Sequence, residues 1–174
     1  MTSKIIVYLI LISGLTMSSD ELHAFAKTPS RLPSALVDQL IHDIHSNDKG
    51  FRLSKHDIEV IYKNLKFKLR DINGDGVLEF FLWIDHPDWC GAGGNCDYWI
   101  YQKQSNKYVL LLNDKQLNAK RTRSHGYCDL ISETPMGVLG QNQYRFYTTL
   151  YKWDGKKYLE TSSGLEIKMI KMKK

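Results

Sequence analysis

Two runs of apolar residues near the start of the ordered chain recur at helical spacing. Leu36, Val37, Leu40, Ile41 and Ile44 share one face of a 3.6-residue period and predict a helix opening at Pro33-Ser34 and stopped by residues 46–50. Ile58, Ile61, Tyr62 and Leu65 predict a second helix, with Ser54 as cap and Asp57 three residues on to complete a capping box. From Phe67 the period shortens to two. Phe67 and Leu69 alternate with Lys68 and Arg70, and residues 80–84 are apolar at every position, as in a central strand covered on both faces. Further strands are expected at 98–101, at 108–112 after a turn around Ser105-Asn106, at 127–131 and at 144–153. Asp154-Gly155 reads as a two-residue hairpin turn into Tyr158-Leu159, and residues 165–174 as an edge strand blunted by lysines. Residues 114–126 are polar and basic, with Lys120, Arg121 and Arg123 close together. The expectation is an α+β fold: two N-terminal helices, about 34–65, packed on a mainly antiparallel sheet, about 66–170.

The β-rich part carries a loose internal repeat. Residues 73–80 can be laid on 124–130, each with a glycine and an acidic residue leading into an apolar strand. Tyr98 to Tyr101 with Tyr108 can be laid on Tyr147 to Leu150 with Tyr158. Each copy is then a strand, a long excursion and a hairpin closed by a tyrosine, so the sheet is expected to be built from two hairpin-like units. Chance likeness among hairpins is the competing explanation.

The N-terminus changes how much chain has to fold. Lys4 precedes an apolar stretch from Ile5 to Met17, and Ala24-Phe-Ala26 reads as a small-x-small cleavage site, so residues 1–26 are expected to be a signal peptide. The stretch is shorter than the ~20 residues of an ordinary membrane span. An uncleaved anchor helix is the alternative. Residues 27–174 are then a single domain in the periplasm or outside the cell, with no integral membrane span of its own. That portion has 23 basic and 17 acidic residues. A modest positive excess suits an acidic partner, an anionic wall polymer or a membrane surface without selecting among them, and export argues against nucleic acid.

The densest chemistry lies between the first two predicted strands, in Asp71-Ile-Asn-Gly-Asp-Gly-Val-Leu-Glu79. Side-chain oxygens fall at Asp71, Asn73, Asp75 and Glu79, and the Val77 carbonyl fills the gap between the last two. Ca²⁺ takes six to eight oxygen ligands at ~2.3–2.6 Å, and this spacing suits one such ion. Three formal negative charges within the nine residues would repel each other with no cation present. The alternative is an ordinary Asn-Gly/Asp-Gly turn with solvated carboxylates. An EF-hand is excluded, since Leu82 stands where that loop places its bidentate glutamate and a strand follows rather than a helix.

This run, followed by an apolar strand, resembles the calcium loop of FG-GAP/VCBS repeats, the integrin-type β-propeller blade. The stretch with Trp89-Cys-Gly-Ala-Gly-Gly-Asn-Cys96 and an aromatic strand also resembles small exported bacterial proteins of uncharacterised function. The resemblance implies that Asp71, Asn73, Asp75 and Glu79 are metal ligands and that the two units are propeller-blade-like. The chain is too short to close a propeller of four or more blades, so only the loop is carried over.

Cys90 and Cys96 bracket a flexible Gly-rich loop that can bring them within disulfide range in an oxidising compartment. Cys128 is left over, and its apolar neighbours favour a buried thiol. His86, Trp89 and Asn95 sit on or beside that pinned loop and are candidates for contacting a partner; folding of Trp89 back onto the core is the equal alternative. No convergent nucleophile and base are visible. His125 and Cys128 would face opposite sides of a strand. The chain is therefore expected to be a non-catalytic exported binding protein for an unknown protein or glycan, stabilised by one calcium ion. The alternative is an inhibitor or immunity protein against a cell-wall hydrolase or toxin, and a small hydrolase is the least favoured.

Overall fold

The computed structural model describes residues 31–47, 52–91, 94–140 and 143–169; the expected signal peptide lies outside them. Helix α1, Ser34–Asn47, buries Leu36, Val37, Leu40 and Ile44. Helix α2, Lys55–Asn64, starts with the expected capping box: Asp57 N–H donates to the Ser54 hydroxyl, and Ser54 N–H donates back to the Asp57 carboxylate at 2.8 Å. It buries Val60 and Ile61, whereas Tyr62, expected on the apolar stripe, is exposed. Leu65 is already extended, so α2 runs straight into β1, Leu65–Arg70.

A curled five-stranded sheet follows, and the fold is mainly β with some α. It contains β1, β2 (Glu79–Ile84), the two-residue β3 (Cys90–Gly91), β4 (Asn95–Gln104) and β5 (Lys107–Lys115). β2 pairs antiparallel with β1 and β4, and β4 also pairs with β3 and β5. The second sheet is an antiparallel meander of β6 (Asn118–Ser124), β7 (Tyr127–Gly140), β8 (Gln143–Trp153) and β9 (Tyr158–Met169). Without the short β3, the first sheet is also a four-stranded meander. The two stretches of the internal repeat then occupy corresponding strands and turns in the two sheets.

β2 explains why every residue from 80 to 84 is apolar. Phe80, Leu82 and Ile84 face a core shared with the helices, together with Trp99 and Tyr101 of β4. Phe81 faces the opposite way, into a second core with Ile72, Ile100, Leu117, Cys128, Leu130 and Tyr158. One strand thus separates and serves both cores. Polar contacts reinforce the layers. The Tyr101 hydroxyl donates to Asp43 of α1 at 2.8 Å, and the Tyr151 hydroxyl of β8 donates to Asp114 of β5 at 2.5 Å. Lys68 Nζ lies over the Phe81 and Tyr98 rings and donates to Leu117 O and Asn118 Oδ1 across the sheet-to-sheet connection.

Three expectations change. The basic stretch 114–126 contains β6, an edge strand that is mostly exposed and so carries no apolar alternation. β7 continues well past Ile131 to Gly140, with bulges near Pro135–Gly137 and Val138–Gly140 where its pattern is irregular. The turn after Trp153 has four residues, because Trp153 pairs with Tyr158; Asp154 closes it by accepting from the amides of Lys156 and Lys157.

Leu82→Ala, at a fully buried site facing the helices, should cost about 2–5 kcal/mol in urea unfolding, mostly from lost contacts and the cavity left behind. An effect of a few tenths would mean that α1 and α2 do not cover this face. The Ser54 hydroxyl and then its amide hold the Asp57 carboxyl below its ordinary value. That contribution is present above the unfolded value and is lost as pH falls through the acid range below about 4. Asp57→Asn should therefore shift the melting temperature at neutral pH and converge with the wild type in acid.

Candidate functional site: the Asp71–Glu79 loop and the disulfide cleft

The loop between β1 and β2 is folded on its own oxygens. Asp71 takes the Gly74 amide at 2.5 Å on one carboxylate oxygen and the Gly76 amide at 3.1 Å on the other. Asn73 Oδ1 accepts from the Asp75 amide, Asn73 Nδ2 donates to Asp75 Oδ2, and Asp75 Oδ1 accepts from the Val77 amide. Gly74 and Gly76 both have left-handed φ, +79° and +81°, which is why side chains are absent there. The Arg123 guanidinium of β6 lies against Gly74, where an added Cβ would sit 3.4 Å from Nη1.

Ile72 points away from these polar groups and is fully buried in the core between the sheets. Both of its backbone polar groups are used. Its amide donates to Glu79 Oε2 at 2.8 Å; its carbonyl accepts from the Cys128 amide at 2.6 Å and from Arg123 Nη1 at 3.3 Å. Arg123 also donates to Gly126 O at 2.6 Å, tying the β6–β7 turn to the loop. The loop is thus one of the places where the second sheet docks on the first.

Glu79 is the buried member of the predicted ligand set, with no exposed surface. Besides the Ile72 amide it has a long 3.4 Å contact from Gln102 Nε2, and that nitrogen also donates to the Tyr127 hydroxyl at 3.1 Å. Burial pushes the Glu79 carboxyl up to about 7 against the pull of the Ile72 amide, and the Asp75 and Asp71 carboxylates add to the rise.

The predicted ligands fit a hard cation in kind, being all oxygen. Carboxylate oxygens already accepting an amide keep lone pairs for a metal. Among the described residues, however, no three His, Cys, Asp or Glu side chains are gathered around one point. Asp71, Asn73 and Asp75 turn into the loop, while Glu79 turns under it to Ile72 and Gln102.

The second cluster of predicted residues surrounds the disulfide. Cys90 and Cys96 are bonded and directly opposite in the β3–β4 register, with Cα atoms 4.0 Å apart. Asp85, His86, Pro87, Gly91 and Gly94 join the two cysteines in lining a cleft of about 480 Å³. His86 lies 3.6 Å from Asp88. Trp89 is half-buried and packs on the helix-side core, the alternative noted above. Asn95 donates to Pro135 O of β7 at 3.4 Å, bracing the loop against the second sheet. His125 is exposed, with Nδ1 2.8 Å from Trp153 O, whereas Cys128 is a free thiol buried between the sheets. The sequence reading missed Ile72, Arg123 and Gln102. An isoleucine between two oxygen-bearing residues was the available sign of the first; the other two need the register between sheets.

With metal chelated, the fold holds the Glu79 proton more tightly than the unfolded chain does. This carboxyl then adds stability that is fully present below 4.5 and is lost as pH rises through about 7. The full effect is roughly 3 kcal/mol. Glu79→Gln, neutral and of similar shape, should flatten the pH dependence of the melting temperature over that window; an unchanged slope would count against it. The Cys128 thiol should resist labelling in the native protein and react on unfolding.

Compared with protein-family models, with curated proteins and with solved structures, the chain shows no match to any of them.

Proposed function

We propose that the chain is an exported, non-catalytic binding domain whose Asp71–Glu79 loop holds one calcium ion in a structural role. The observation that carries this reading is the position of Ile72. It lies between two predicted ligands, Asp71 and Asn73, its amide is held by a third, Glu79, and its side chain and carbonyl are the seat of the second sheet. An ion drawing those oxygens together would fix that seat. Its chemistry would be charge neutralisation of three carboxylates, and none of the loop residues needs to turn over a substrate. The second sheet would then keep a fixed angle to the first, as a binding surface requires.

The partner surface in this reading is the cleft beside His86, walled by the disulfide and steadied by the bond from Asn95 to Pro135 of β7. A periplasmic or extracellular protein or glycan is the class of partner. The likeness of the two meanders to propeller blades belongs to the same proposal: leaving the two-residue β3 aside, both sheets have four-strand up-and-down order, and the loop follows the first strand of its unit.

Calorimetric titration with Ca²⁺ should give saturable heat, and the melting temperature should rise with calcium. At a hundredfold excess over Kd the gain is about 2.7 kcal/mol. Asp75→Ala should remove both signals; in the calcium-free chain it also takes away the acceptor for the Val77 amide and Asn73 Nδ2, so each melting shift is read against the variant's own calcium-free value. No calcium-dependent heat or melting shift at millimolar calcium would sink the metal assignment. Pull-down from a periplasmic extract with calcium and with chelator tests the binding role: a stoichiometric protein band identifies a protein partner, retention on a wall-glycan matrix identifies a glycan, and neither would overturn it.

A further inference from the structure

The distal half of the second sheet extends past the core, and the last five residues of its edge strand, β9, are apolar on one face and charged on the other. Leu165, Ile167 and Met169 alternate along it and are 61%, 65% and 67% exposed. In the β8–β9 register Leu165 lies opposite Tyr147, itself exposed, and Ile167 opposite Arg145. Glu166 and Lys168 occupy the other face, 3.7 Å apart, with Lys168 over the Phe146 ring and paired to Glu133 of β7. β9 ends the strand order, so among the described residues its outer row of amides and carbonyls pairs with no strand. Long edge strands with exposed apolar residues template pairing with another chain.

We infer that β9 pairs antiparallel with β9 of a second copy of this chain, with Ile167 on the twofold axis. The sequence of the strand selects both partner and register. An antiparallel pair of identical strands is isologous: each contact is made twice. With Ile167 facing the partner's Ile167, Leu165 faces the partner's Met169, and Glu166 faces the partner's Lys168. The two copies of the last pair place four charges in alternating sign on one face, while the apolar residues meet on the other. Moving the axis by one residue in either direction sets Glu166 against Glu166 or Lys168 against Lys168. A slip that pairs odd with even positions sets the apolar stripe of one copy beside the charges of the other. The register on Ile167 joins the Tyr147–Leu165 patches of both copies into one stripe, removing from water surface that a monomer leaves exposed.

Sedimentation of the full chain tests this. The wild type should show a monomer–dimer equilibrium. Ile167→Lys places two ammonium groups on the axis and should weaken association by about tenfold or more, with far-UV circular dichroism and melting temperature of the monomer unchanged. Cross-linking reads the register independently. Directly opposed residues in an antiparallel pair have Cβ atoms within disulfide reach, as Cys90 and Cys96 do within this chain. Ile167→Cys should therefore give an oxidised covalent dimer, and Leu165→Cys, opposite the partner's Met169, should not. A chain that stays monomeric at all concentrations, a dimer indifferent to Ile167→Lys, or cross-linking at 165 in place of 167 would each overturn the assignment.

Discussion

The hydrogen bond from the Ile72 amide to the Glu79 carboxylate is the constraint on which the arrangement of the two sheets depends. A buried backbone amide without a partner costs about as much as a lost hydrogen bond, so the fold must supply an acceptor where Ile72 enters the core. The acceptor comes from the first residue of β2, seven positions on. This closes the loop, sets where β2 begins, and fixes the Ile72 carbonyl in position to receive the Cys128 amide and Arg123. β7 is thereby registered against a loop of the first sheet. The cost is a carboxyl wholly removed from water, which accounts for its raised pKa.

Much of the first sheet was legible because its signals are local or doubled. The all-apolar run of 80–84 reads as a strand covered on both sides, and the two cores beside it cover Phe80, Phe81, Leu82 and Ile84. The Ser54–Asp57 box and the Cys90–Cys96 pair depend on residues a few positions apart, where spacing alone decides the geometry. The second sheet was harder for a physical reason. β6 is an edge strand that packs mainly through Ala119, so it has almost no apolar period to read. The far half of β7 contains Pro135, Gly137 and Gly140, which ordinarily argue against a strand but are accommodated by bulges. The Asp154 turn was misjudged because Asp-Gly marks a two-residue hairpin only when the flanking residues pair immediately; here Asp154 caps the two following lysine amides instead.

At the candidate site, the loop residues were legible as a set and their individual duties were not. Asp71, Asn73 and Asp75 share one environment, exposed or half-exposed and bonded to the loop's own amides. Glu79 lies in another, because the β2 alternation puts it on the face that carries Phe81. A linear motif records the spacing of oxygens but not that a strand begins at the last of them. Trp89 shows the same limit: the disulfide was readable, yet the direction of the ring depends on the helix-side core, which exists only once α1 and α2 are placed.

The two ends of the second sheet differ in how completely their groups are used. Near the loop, Tyr127 stacks on Trp153 and Tyr158 meets both rings edge-on, Tyr158 donates to Cys128 O, and Tyr151 donates to Asp114 of β5. Ser132 donates to Lys115 O, and beyond it Asn95 braces β7 at Pro135. From there outward, among the described residues, β7, β8 and β9 pack on each other, and a three-stranded ribbon cannot cover both of its faces. Lys168 shields one face by lying across Phe146 to Glu133, which is why Phe146 is buried while Tyr147 on the reverse face is exposed. A charge on one face and an uncovered apolar stripe on the other follow directly from a sheet longer than the core that supports it.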